Sequence, residues 1–183
     1  MLIRNLLLAT ALFSVFLTLG TLTPIDVSLE ILQEFGDILE PLRMAGHIFL
    51  LLVISLNNAL KALGVIVLGI FFGLPPLLFI CVNGFILGAL ISAVESVEGL
   101  GYVVASLVPH GVIEVPALLL ATTLGFTVGW ESLKWLLRRK SLVKSKLLHS
   151  LKLYLRWVLP GLIAAAIIEV FITPWVVARV GGM

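Results

Sequence analysis

The chain of 183 residues has one cysteine, two tyrosines and three methionines, and only 12% of its residues are charged. A lone cysteine, Cys81 in the run LLFICV, excludes an intrachain disulfide and reads as a small buried apolar residue. The shortage of charge excludes a soluble globular domain. With 61% hydrophobic residues and a mean hydropathy of +1.21, the polar residues would not cover the apolar ones in water. Lipid is the solvent that fits, and about 20 helical residues then cross its hydrocarbon core.

Apolar runs of that length divide the sequence. Residues 6–22 (LLLATALFSVFLTLGTL) form a first span. Arg4 precedes it and no small-x-small cleavage site follows, so it reads as a retained helix rather than a signal peptide. Residues 26–43 are different. Ile31, Leu32, Phe35, Ile38, Leu39 and Leu42 recur at helical spacing, while Asp26, Glu30, Glu34, Asp37 and Glu40 share the other side. That pattern is an amphipathic helix lying in the interface, with Asp26 as its cap. It is acidic, so attraction to anionic headgroups does not hold it there.

Met44 to Leu74 would be about 46 Å of helix, too long for one perpendicular crossing. The expectation is an interfacial or steeply tilted stretch from His47 to Leu56, then a second span at 56–74. Gly73-Leu74-Pro75-Pro76 supplies a turn, and further spans follow at 77–94, 109–130 and 153–173. Tyr102 to Val108 is an apolar lead-in to the fourth span, short enough to be re-entrant. Residues 131–150 carry leucines among lysines and arginines and read as a second interfacial stretch. The expected fold is therefore an all-α integral membrane protein, a single membrane domain over 1–183 with five spans and interfacial helices.

Orientation follows from charge. Lys134, Arg138, Arg139, Lys140, Lys144, Lys146, Lys152 and Arg156 crowd one connection, which should stay cytoplasmic. Counting back places Gly73 to Pro76 and the N-terminus inside, and the acidic helix, Glu95, Glu98 and the C-terminus outside. Topology accounts for the positive charges, so nucleic acid is not an expected partner. The lipid bilayer is.

Three G-x-x-x-G pairs, Gly69/Gly73, Gly84/Gly88 and Gly125/Gly129, predict close helix packing. Helices in lipid gain no hydrophobic drive from meeting one another. Packing within the chain is the first reading of these pairs, and a homodimer the second.

Ionisable residues inside spans cost about 2.5–3.5 kcal/mol on insertion scales and call for a reason. His110 and Glu114 stand four apart in VPHGVIEVP, on one helical face, between Pro109 at a first helical turn and Pro116. Pro116 cannot donate to the Val112 carbonyl. By the topology, His110, Glu114, Glu169 and Asn57-Asn58 fall at one depth in the outer half, and with Asn83 they make a candidate polar cluster. Four readings stay open. In order, they are a hydrogen-bonded clasp fixing the helices, a proton or ion site for transport, a metal held by His110, Glu114 and Glu169, and metal-assisted hydrolysis. No cofactor is expected, and HGxxE lacks the second histidine of HExxH. Ser106 has no orienting partner and reads as bonded to its own preceding turn.

The elements NN at Asn57-Asn58, NG at Asn83-Gly84 followed by Gly88, PHGVIE at Pro109 to Glu114, and IIEVFITP at Ile167 to Pro174 resemble the stage II sporulation protein M family. The resemblance implies a small multi-span membrane protein with no enzymatic activity tied to its fold. In spore formers such proteins belong to a membrane complex that remodels the septal wall with wall-degrading partners. The expectation for function is a scaffold or assembly component of a cell-envelope complex, with envelope proteins as partners. The alternative is a transporter or channel-like protein using the same cluster.

The topology makes a labelling prediction. In a Cys81→Ser background, Lys140→Cys should resist a membrane-impermeant maleimide in intact cells, while Val97→Cys should react. Reaction at Lys140→Cys before permeabilisation would invert the assignment.

Overall fold

The computed structural model describes residues 1–180, with the side chains of Leu39 and Arg43 outside that description. Leu39 was one of the apolar positions counted above, so its place on the amphipathic face lies outside the described residues. No strand occurs among the described residues. The helices are α1 (Leu2–Thr21), α2 (Ile25–Met44), α3 (His47–Leu68), α4 (Leu74–Glu98), α5 (Leu100–Leu136), α6 (Val143–Leu153), α7 (Leu159–Ile167) and α8 (Thr173–Val180). Two π-helical turns, Tyr154–Val158 and Ile168–Ile172, join α6 to α7 and α7 to α8. The three helices thus make one rod from Val143 to Val180. This rod, α1, α3, α4 and α5 are the five helices long and apolar enough to cross a membrane. The protein is a multi-spanning helical bundle.

Its exterior is apolar in the way lipid requires. Ile3 is 74% exposed, Val112 66% and Leu155 62%, values that would be costly in water and are unremarkable against acyl chains. The core is thin by comparison. Ile66 of α3, Leu124 of α5, and Val158 and Leu162 of the rod are fully buried together. Tyr154 joins them and its hydroxyl donates to the Ala59 carbonyl at 3.0 Å, tying the rod to α3.

Several helix bounds differ from those read off the sequence. His47 to Leu56 is no separate segment: it opens α3, which runs unbroken to Leu68. Pro109 is not at a first turn, because α5 begins at Leu100 and carries both Pro109 and Pro116 inside it. Neighbouring helices on several sides support α5 there, so the two missing donors do not end it. Tyr102 to Val108 is accordingly helix and not a re-entrant dip. The basic stretch is divided between two helices, since α5 continues to Leu136 and α6 begins at Val143. At 37 residues, α5 is about 55 Å long and must tilt or project beyond a ~30 Å core.

Glycines set the helix spacings. A Cβ on Gly88 would run into the Leu17 carbonyl, and one on Gly20 into the Phe85 carbonyl, so α1 and α4 meet backbone to backbone. At Gly84 the Phe13 carbonyl would lie 2.7 Å away. Gly69 faces Gly125, and Gly125 in turn faces the Val65 carbonyl and the Pro76 ring, which locks α3, α4 and α5. Gly129 abuts Gly73, whose φ of 81° turns α3 into α4 and needs glycine. All six glycines of the three pairs therefore sit at contacts within this chain. Helix α2 packs on α4 and touches α3, with its five acidic side chains exposed.

These spacings are testable. Gly88→Ala should push α1 from α4 and cost about 1–3 kcal/mol, read as a lower unfolding midpoint in detergent. Gly64→Ala, where nothing lies within 4 Å of the added carbon, should leave the midpoint unchanged or raise it slightly.

Candidate functional site

Three helical segments remote in sequence bring the polar residues together. On α5, the i, i+4 spacing sets His110 and Glu114 on one face, as their numbering demands. Across from them on α3, the Asn58 side-chain amide donates to Glu114 Oε1 at 3.0 Å. The Asn58 carbonyl itself accepts from the Asn57 amide at 3.3 Å. From the rod, Thr173 Oγ1 lies 3.5 Å from His110 Nδ1. Glu169 stands one turn before Thr173, inside the second π turn, where the Thr173 amide reaches back to Ile168. A π turn widens the helix locally, and such turns recur at functional sites.

His110, Glu114 and Glu169 each offer one ligand atom within 4.8 Å of the other two. All three are half-buried rather than sealed. His110 and Glu114 border a cavity of about 970 Å³ between α1, α2, α3, α4 and α5, which Asn57, Asn58, Lys61 and Asn83 also line. The expected cluster is half-buried, with Asn58, His110 and Glu114 on the wall of an open cleft. Asn83 shares the cavity but not the hydrogen bonds, because its amide is spent on the Phe79 carbonyl at 2.7 Å, one turn back on its own helix. Ser106 likewise bonds the Val103 carbonyl at 3.3 Å.

The donor set is one imidazole and two carboxylates, which suits zinc with an open fourth position. Tetrahedral zinc at its usual bond lengths holds donor atoms roughly 3.4 Å apart. Side chains spread up to 4.8 Å would have to close by more than an ångström, with Glu114 offering the oxygen that Asn58 does not hold. The arrangement as it stands is a hydrogen-bonded clasp. No nucleophile with a base and an orienting group is assembled among the described residues.

Other polar ties were not legible in the sequence. Asn5, only 4% exposed, donates to Thr127 Oγ1 at 3.0 Å and joins α1 to α5. Arg4 lies over the Trp130 ring at 5.1 Å. Glu131, 3% exposed, takes Lys134 at 2.8 Å and the Leu142 amide at 3.0 Å, which fixes the start of α6 against the end of α5. An asparagine in a flank or a Glu at i, i+3 to a Lys is common on surfaces, so only the contact reveals these roles.

The profile of the family described as stage II sporulation protein M matches residues 8–174. The chain belongs to that family. It is also 34% identical over 123 residues to an uncharacterized protein of Methanocaldococcus jannaschii, covering 65% of this chain and 68% of the relative. No solved structure matches it. The match takes in α1 from Leu8 onward, which the resemblance quoted above from Asn57 did not cover, and includes every residue of the cleft named here.

The Asn58–Glu114 contact can be measured directly. A double-mutant cycle of Asn58→Ala and Glu114→Ala, read by denaturant unfolding in detergent, should return a coupling of about 0.5–2 kcal/mol. Glu114→Gln, which keeps an accepting oxygen, should lose less than Glu114→Ala. Additive single mutants would mean that the bond contributes nothing.

Proposed function

We propose that this protein is a non-enzymatic membrane scaffold or assembly component of a cell-envelope complex, whose polar cluster holds three spans in one arrangement for partners to recognise. One observation carries the reading: Glu114 is bonded to α3 while His110 on the same face meets Thr173 of the rod. Side chains cross-linked to neighbouring spans specify a single packing, which is the use that buried polar networks most often serve. The exposed acidic face of α2 and the basic α5–α6 connection give two oppositely charged surfaces on which envelope proteins could assemble. By the charge rule the basic connection is cytoplasmic and the C-terminus outside. A second copy of the chain would have to use other faces than the three glycine pairs, which already sit at contacts inside the bundle.

A second reading, transport of protons or cations, draws on the cleft itself. It is roomy, and it places Lys61, Asn57, Asn58 and Asn83 beside an intramembrane His and Glu. Carboxylates inside a span often mark an ion path.

Purified protein in liposomes separates the two. The scaffold reading expects no proton or cation flux above empty liposomes, and expects Glu114→Ala to lower stability or to release co-purifying envelope partners. Flux that vanishes in Glu114→Gln while the variant stays folded would replace scaffold with transporter. Elemental analysis should find no stoichiometric zinc; one metal per chain, lost in Glu169→Gln, would make the cluster a metal centre instead.

A further inference from the structure

Some eighteen residues beyond Glu114 along α5, roughly 27 Å away, a second cavity of about 1110 Å³ opens at the basic end of the bundle. Three segments that are distant in sequence build it. They are the α3–α4 turn with Ile70, Phe71 and Phe72, the end of α5 with Ser132 and Trp135, and the first turns of the rod from Ser141 to Lys152.

Its two halves differ in chemistry. One half is basic, with Lys144, His149 and Lys152 and no Asp or Glu in the lining. Neither lysine is in an ion pair among the described residues. Helix α6 begins in this half, and its start is capped from α5 by the Glu131 carboxylate rather than left open to an anion. Ser132 also lines the cavity at 5% exposure, and its hydroxyl has no partner among the described residues. The other half is apolar: Ile70, Phe71, Phe72, Trp135 and Leu148 are all exposed. Glu131, by holding the Leu142 amide, fixes the α6 start beside the end of α5.

We propose that this cavity binds one anionic phospholipid of the leaflet at the basic end. Its phosphate sits against Lys144, Lys152 and the Ser132 hydroxyl, and its acyl chains lie along Phe71, Phe72 and Trp135. A cationic pocket over an exposed apolar shelf at a span end matches a lipid in both parts, with Trp at headgroup depth. A zwitterionic lipid would bring its own ammonium against three basic side chains, so the preference is for a net negative headgroup.

Native mass spectrometry of the full chain tests this with phosphatidylglycerol, phosphatidylcholine and inorganic phosphate as probes. Wild-type protein should retain one phosphatidylglycerol through detergent washing and little phosphatidylcholine. The double variant Lys144→Gln/Lys152→Gln should bind phosphatidylglycerol roughly tenfold more weakly or worse, with an unchanged melting midpoint in lipid-free detergent because both lysines are exposed. Arg138→Gln/Arg139→Gln removes the same charge outside the cavity and should keep the lipid. Equal loss in both double variants would reduce the site to general attraction by the basic stretch and overturn the proposal. So would equal retention of phosphatidylcholine, undiminished binding in the lysine variant, or displacement of the lipid by millimolar inorganic phosphate.

Discussion

Where Gly125 meets the Val65 carbonyl and the ring of Pro76, three helices share a gap too narrow for a side chain, and the rest of the bundle is arranged around that constraint. Lipid offers helices no hydrophobic reason to associate, so van der Waals contact at short range has to supply it. Gly69 opposite Gly125, Gly73 opposite Gly129, and Gly20 interleaved with Gly84 and Gly88 extend the same close approach from one end of α5 to the whole of α1 and α4. The helices that cannot approach so closely use polar ties instead. Tyr154 to Ala59 and Asn5 to Thr127 are each a single hydrogen bond between elements far apart in the chain.

Helix α5 is the member on which these contacts converge. Its C-terminal half carries the glycines and the small buried residues Ala117, Ala121, Thr122 and Thr123. Its N-terminal half holds the two prolines, with His110 and Glu114 between them. The tight end positions the loose end. With α3 and α4 locked at Gly125, Asn58 is delivered opposite Glu114, and the space left where packing relaxes becomes the polar cleft. The half-buried clasp is held there by the Asn58–Glu114 bond and the His110–Thr173 contact.

The π turns serve the same end on the rod. A 38-residue helix from Val143 to Val180 would drift off any straight seam. At Tyr154–Val158 and Ile168–Ile172 it widens instead, bringing Tyr154 to α3 and Glu169 with Thr173 to His110. The two cavities then lie near opposite ends of the bundle, one lined by asparagine, histidine and glutamate, the other by lysine over an apolar shelf.

Sequence alone determined the class of the fold, the number of spans and the residues worth watching. Each follows from something local: hydropathy over about 20 residues, the grouping of lysine and arginine, and the cost of an ionisable side chain in lipid. It also set His110 beside Glu114, since helical spacing is a local fact. Tertiary structure decided the rest. Pro109 lost its role as a helix start because packed neighbours support α5 through both prolines, which no window of sequence contains. Asn83 stands outside the hydrogen-bonded cluster because its amide donates to the Phe79 carbonyl of its own helix. Asn5, Glu131 and Thr173 gained roles because contacts across the bundle depend on helix rotation and depth, and those are fixed only when all the helices pack together.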